Sequence, residues 1–117
     1  MSQEITIYHN PRCSKSRQTL ALLEEAGATP NIVLYLEAPP SAKELGAIVD
    51  RLGIEPLELM RKKEAPFKEL GFDEKAPDRQ AALQAMHEHP ILIERPIVVK
   101  GDRAIIGRPP ENVQALL

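Results

Sequence analysis

The only cysteine of this chain, Cys13, lies in the stretch "YHNPRCSKSRQTL", residues 8–20, beside Arg12, Lys15 and Arg17. His9 precedes it and Ser16 follows it. A thiol attacks only as the thiolate, and neighbouring cations or a helix N-terminus pull its pKa down from about 8.5 by one to several units. Ile5 and Ile7 alternate with polar residues up to His9, which reads as a strand. Asn10-Pro11 starts a turn, and a helical pattern follows from Ser14. Cys13 therefore falls at a strand-to-helix joint. The first turn of a helix offers unpaired N–H groups and the positive end of its dipole, which stabilise a thiolate and equally a bound oxyanion. A lone cysteine is ordinarily a small buried hydrophobe. The polar and basic setting of Cys13 argues for reactivity instead, with the Ser16 hydroxyl turned back toward the sulfur.

Two further cations fit such a site. Arg95 in "ERPIVV" and Arg108 in "IIGRPP" bracket a hairpin, and the two ends of a hairpin lie side by side, so these arginines converge. Arg61 in "LMRKKEAPF" reads locally as a solvated helix residue, since nothing near it points toward Cys13. His87 and His89 in "MHEHP" have a chelating spacing. They end a helix without a carboxylate or thiol partner, so no metal site is expected. Histidine near a helix C-terminus is favourable for electrostatic reasons alone.

The elements that must position these residues follow from the pattern. The helix after Cys13 runs from Ser14 to Ala26, with Gly27 as its stop. "NIVLYLE", residues 31–37, is a near-continuous apolar run, which predicts a strand covered on both faces in a parallel sheet. Strand, helix and strand make a βαβ unit. Pro39-Pro40 breaks the chain, and Ser41 with Glu44 forms a capping box for a helix to about Leu52. Short helices broken by Pro56, Pro66, Gly71 and Pro77 follow, giving a helical insertion over about 41–89. Residues 96–107 form the hairpin, turning at Gly101-Asp102, and "ENVQALL" is a short terminal helix. The order β-α-β, helical insert, β-β-α is that of an α/β thioredoxin-like domain with a mixed sheet, occupying 1–117 as one domain.

Composition narrows the function. The chain has 117 residues, 43% hydrophobic, 27% charged, with a formal net charge of -2. A core needs no staples at this size, and bulk nucleic-acid binding through net charge is not expected. One cysteine excludes an internal disulfide framework, which fits a reducing compartment. No apolar run is long enough to span a bilayer, and "MSQEITIYHN" lacks the features of a signal peptide. A cytoplasmic protein is expected, without membrane or nucleic-acid partners, and monomeric.

Taken together, "YHNPRCSKSRQTL", "YLEAPPS", "ELMRKKEAPFKELG", "HPILIERPIVV" and "GRPPENV" resemble the glutaredoxin-linked, ArsC-like arsenate reductase family, in its short branch. The resemblance runs over essentially the whole chain. It implies a thioredoxin-like fold with a helical insert, Cys13 as the nucleophile, and an arginine triad of Arg61, Arg95 and Arg108 as the oxyanion site. It gives Arg61 a role that its local pattern does not. His9 and Ser16 match positions that tune the thiol, and Pro96 matches a cis-proline. Lys15 stands where family members tend to have a small residue, and the sequence ends with "ENVQALL", where well-known members continue.

The implied activity is reduction of arsenate to arsenite through a Cys13–arsenic adduct, with arsenate or a similar oxyanion as the bound partner. Glutathione would act as co-substrate and glutaredoxin as partner, with no bound cofactor. Two competitors are weaker. Regulators of related fold that bind RNA polymerase lack the arginine triad and commonly carry a Cys-x-x-Cys switch, whereas the second position here is Ser16. A low-molecular-weight phosphatase needs a Cys-x5-Arg loop, and the sixth residue after Cys13 is Thr19.

Overall fold

The strand before the cysteine is β1, Ile5–Tyr8, with Ile5 and Ile7 buried and Thr6 and Tyr8 partly exposed, the period-two pattern its sequence predicts. The structure, a computed structural model, describes residues 4–117. Helix α1, Ser14–Glu25, follows the Asn-Pro turn and leads to β2, Asn31–Val33. Late in the chain come β3, Ile97–Lys100, and β4, Arg103–Ile106. The sheet order is β2-β1-β3-β4. β1 pairs parallel with β2 and antiparallel with β3, and β3 pairs antiparallel with β4. This mixed sheet, reached by a β-α-β and then a β-β-α segment, is thioredoxin-like.

The sheet belongs to one compact unit, which runs to Ala38 and resumes over Arg95–Leu117. Ile5, Ile7 and Val98 of the sheet pack with Leu23 of α1 and with Val113 and Leu116 of the last segment, and Leu20, Leu22, Ala28 and Ile105 border them. That last segment, Pro110–Leu116, is a 3-10 helix rather than the α-helix its pattern suggests. The hairpin turns at Gly101-Asp102, with Lys100 opposite Arg103 and positive φ at Gly101, as a two-residue turn with glycine first requires.

The second unit, Pro39–Glu94, is helical. It contains α2 (Ala42–Leu52), α3 (Pro56–Leu59), α4 (Ala65–Glu69) and α5 (Arg79–Glu88), followed by a 3-10 turn, Pro90–Leu92. The Ser41–Glu44 capping box forms in both directions at the start of α2. Asp78 caps α5 through the N–H of Ala81 at 2.8 Å. Leu45, Ile48, Val49, Leu59, Leu83 and Met86 are buried. No helix among the described residues is long and apolar enough to cross a membrane.

One expectation is corrected. The apolar run 31–37 is not a strand covered on both faces. β2 stops at Val33 and lies at the sheet edge, and the chain then turns, with the N–H groups of Glu37 and Ala38 both donating to Leu34 O at 2.9 Å. Ile32, Leu34 and Leu36 are exposed, at 49%, 37% and 43%. A run of apolar residues does not distinguish a central strand from an edge strand that leaves its sheet after three residues. Only Tyr35 of the segment is fully buried.

Gly107 closes the hairpin next to α1. Its N–H donates to Pro96 O at 2.9 Å, and its carbonyl accepts from Thr19 Oγ1 at 3.3 Å. A Cβ there would lie 2.5 Å from Thr19 Oγ1 and 2.8 Å from Pro96 Cγ. Overpacking of this kind costs about 1–3 kcal/mol. Gly107→Ala should therefore lower the urea midpoint with an unchanged m-value. A variant as stable as the parent would mean that α1 and the hairpin are not held in this close approach.

Candidate functional site

Cys13 is the N-cap of α1. Its carbonyl accepts the first helical bond, from Arg17 N–H at 3.0 Å, and its own N–H donates to Asn10 O at 3.0 Å. Asn10 does more than start the turn. Its Oδ1 accepts from Arg12 N–H at 3.0 Å, and its N–H donates to Ser16 Oγ at 3.0 Å. Arg17 Nη1 donates to Pro11 O at 2.9 Å. The loop that carries the thiol is thus tied to the strand end, to its own interior and to the first turn of the helix.

The thiol is half-buried and in no disulfide. Burial pushes its pKa up, but the Ser16 N–H, the Arg95 guanidinium through both hydrogen bonding and charge, and the Lys15 N–H together outweigh burial. The net result lies below the ordinary thiol value. The helix N–H groups act as dipoles facing the sulfur, without a side-chain capping bond of conventional geometry. Since Lys15 acts through its backbone, the long side chain at that position does not alter this contribution.

His9 and Ser16 form a buried pair, with His9 Nδ1 2.6 Å from Ser16 Oγ. Burial and then the charge of Arg17 hold the His9 pKa below the usual histidine value, so the ring is neutral near pH 7. The Ser16 hydroxyl is engaged with His9 and the Asn10 N–H. It is the Ser16 backbone N–H, rather than the hydroxyl expected from sequence, that acts on the sulfur.

The arginines divide by unit. Arg95 and Arg108 each stand one residue beyond the Pro96–Gly107 contact, at the same end of the hairpin. Arg95 is half-buried and reaches Cys13, whereas the Arg108 residue is exposed and its carbonyl accepts from Asn112 Nδ2 at 3.3 Å. Both peptide bonds that follow these arginines, Arg95–Pro96 and Arg108–Pro109, are cis. Arg61 lies in the helical unit and is not the solvated residue its local pattern suggests. It sits 3.6 Å from Glu64 and 4.0 Å from Glu94, and its N–H donates to Leu92 O at 2.7 Å. His87 Nδ1 donates to Pro40 O at 3.0 Å. Among the described residues, no group of three or more His, Cys, Asp or Glu is placed to hold a metal ion.

Asn10 and Tyr35 also stand beside the thiol, although their residue types alone do not mark them. The Tyr35 hydroxyl is buried near the Arg95 guanidinium, the Asn10 amide and the Cys13 sulfur. Its only sequence signal is an aromatic residue in a run that reads as core.

A thiol held toward its anion beside a guanidinium and a helix N-terminus, at the end of a thioredoxin-like sheet, is equipped for nucleophilic attack on an oxyanion centre. The chain belongs to the ArsC family, which it matches over residues 8–116. It is 49% identical over 115 residues to an arsenate reductase of Neisseria meningitidis, covering 97% of this chain and 98% of that one. An arsenate reductase of Haemophilus influenzae is 49% identical over 114 residues, with the same coverage of each chain. The solved structure of an arsenate reductase from Vibrio cholerae superposes with a TM-score of 0.94 at 48% identity, over 100% of both chains.

A depressed folded-state pKa means that the thiolate adds stability above the unfolded pKa, and that this is lost as pH falls through the folded value. The alkylation rate of Cys13 against pH should accordingly give a midpoint lower in the folded protein than in the same protein in denaturant. Coincident midpoints would show that the helix N–H groups and Arg95 do not outweigh burial.

Proposed function

We propose that this chain reduces arsenate to arsenite, with Cys13 as nucleophile and Arg61, Arg95 and Arg108 as the oxyanion-binding groups. The observation that carries the reading is the Cys13 thiol, biased toward its anion by Arg95 in a chain whose full-length relatives are named arsenate reductases. Arsenate is a tetrahedral oxyanion, doubly charged near neutral pH. Guanidinium groups stay charged and match such oxygens bidentately. Arg95 has a direct geometric basis in its reach to Cys13, and Arg108 in its place at the same hairpin end. The assignment of Arg61 rests on the family pattern, and Glu64 and Glu94 are the partners it would partly release to an anion.

The chemistry begins with attack of the Cys13 thiolate on arsenic. A sulfur–arsenic bond forms, one arsenate oxygen takes up two protons, and it leaves as water. His9 and Ser16 hold the thiol loop during this step, Ser16 through its N–H on the sulfur and His9 through the hydroxyl of Ser16.

Reduction then needs two electrons. Arsenate and two thiols give arsenite, water and one disulfide. Cys13 is the only thiol in the chain, so the second comes from another molecule. Glutathione is the small thiol available in a reducing cytoplasm, where we place the protein. Glutaredoxin is the matching partner for exchange through a glutathione mixed disulfide.

The test is arsenite release by the purified protein under three reductant systems. Glutathione with glutaredoxin should sustain turnover, and glutathione alone should support it far more slowly. Thioredoxin with its reductase, without glutathione, should give none. Full activity with thioredoxin alone would contradict the donor assignment, and no arsenite under any system would contradict the substrate.

A further inference from the structure

Asn10, Tyr35 and Arg95 meet beyond the end of β1. Tyr8 lies opposite Val33 in the parallel pair and opposite Ile97 in the antiparallel pair. His9 N–H continues the parallel ladder by donating to Val33 O at 2.8 Å. The turn after β2 puts the Tyr35 hydroxyl in electrostatic reach of Asn10 and Arg95 beyond these paired strand ends. Cys13 is tied to the same place through its N–H on Asn10 O.

Tyr35 is 1% exposed. Its hydroxyl is fully buried and makes no hydrogen bond of normal length and angle among the described residues, although it lies in electrostatic reach of the Arg95 guanidinium and the Asn10 amide. Burying a phenol oxygen without a full partner costs free energy that a phenylalanine ring would not. A position that needed only an apolar plug gains nothing from the hydroxyl. The oxygen is a lone-pair acceptor placed beside the guanidinium that serves the thiol.

We infer that Tyr35 is a positioning residue, whose hydroxyl oxygen accepts from Arg95 and holds its guanidinium toward Cys13.

Neutrality is what suits a tyrosine to this task. A carboxylate would grip the guanidinium harder but cancel the charge that the thiolate and an oxyanion require, as Glu64 and Glu94 partly offset the charge of Arg61. The phenol stays protonated: burial, aided by the Cys13 charge, outweighs Arg95 and Asn10, and its pKa is raised to about 12. Arg95 is thereby oriented with its full charge still directed at the sulfur. This inference rests on the proposed pairing of Cys13 with Arg95, and it is independent of which oxyanion is bound.

The experiment is iodoacetamide alkylation of Cys13 against pH in the parent, Tyr35→Phe, Arg95→Gln and the double variant, with circular dichroism to establish folding. The groups that set the midpoint are the N–H groups of Lys15 and Ser16 and the Arg95 charge. Tyr35→Phe should raise the midpoint by roughly half a unit, a fraction of the effect of a neighbouring charge. Arg95→Gln should raise it further, and adding Tyr35→Phe to Arg95→Gln should change nothing more.

An unmoved midpoint in Tyr35→Phe, with a raised one in Arg95→Gln, would overturn the inference and leave the site reading standing. An equal shift from Tyr35→Phe in both backgrounds would also overturn it, since Tyr35 would then act without Arg95. An unmoved midpoint in Arg95→Gln would overturn the site reading itself. A second measurement is read in the parent. Its Arg95 side-chain N–H signals, assigned by their loss in Arg95→Gln, should show slow guanidinium rotation, and fast rotation would contradict the inference.

Discussion

A half-buried thiol resists ionisation, because the charged form loses more hydration than the neutral one. At Cys13 that resistance is overcome by two N–H dipoles at the start of α1 and by the Arg95 guanidinium. The contributions differ in origin. The dipoles come with the local joint of strand and helix, and any residue at the N-cap would face them. The guanidinium arrives from 82 positions later in the sequence and depends on the fold.

Much of the sheet unit can be understood as the means of bringing that arginine to the thiol. β1 lies between β2 and β3, so the loop after it is flanked on both sides. Antiparallel pairing sets the start of β3, Ile97, opposite Tyr8 at the end of β1, and Arg95 lies two residues before it. The close approach of Gly107 to Thr19 seats α1 against the hairpin, with no room for even a methyl group. Asn10, Ser16 and His9 then lock the loop, each through short contacts with its neighbours. Reactivity at one sulfur is distributed over three strands and a helix.

What the sequence discloses follows the range of the interactions. β1, α1, the Ser41–Glu44 cap and the Gly101-Asp102 hairpin are legible because turn chemistry and short-period patterning specify them locally. The place of Cys13 at a strand-to-helix joint is legible for the same reason, and hairpin geometry sets Arg95 and Arg108 at the same end of the hairpin. The run 31–37 misleads because edge and central strands share an apolar signature, and the difference lies in what else the chain packs there. Tyr35 is hidden inside that misreading: once the segment is taken for a doubly covered strand, its one inward residue looks like core. The partners of Arg61 are likewise invisible locally, since Glu94 is brought to it by the Met60–Ile93 bridge. Spacing alone permits the Ser16 hydroxyl to face the sulfur, while the competing pull of His9 is a tertiary fact.

The family relationship and the geometry bear on different parts of the account. Membership in the ArsC family covers nearly the whole chain. The structure adds the groups that bias this thiol toward its anion, the Ser16 and Lys15 N–H groups and Arg95. The most direct measurement is anomalous diffraction at the arsenic edge from a crystal soaked in arsenate. An arsenic peak at bonding distance from Cys13 Sγ, with Arg95 hydrogen-bonded to its oxygens, is the predicted result. An arsenic bound away from Cys13 in protein that still releases arsenite would contradict the account.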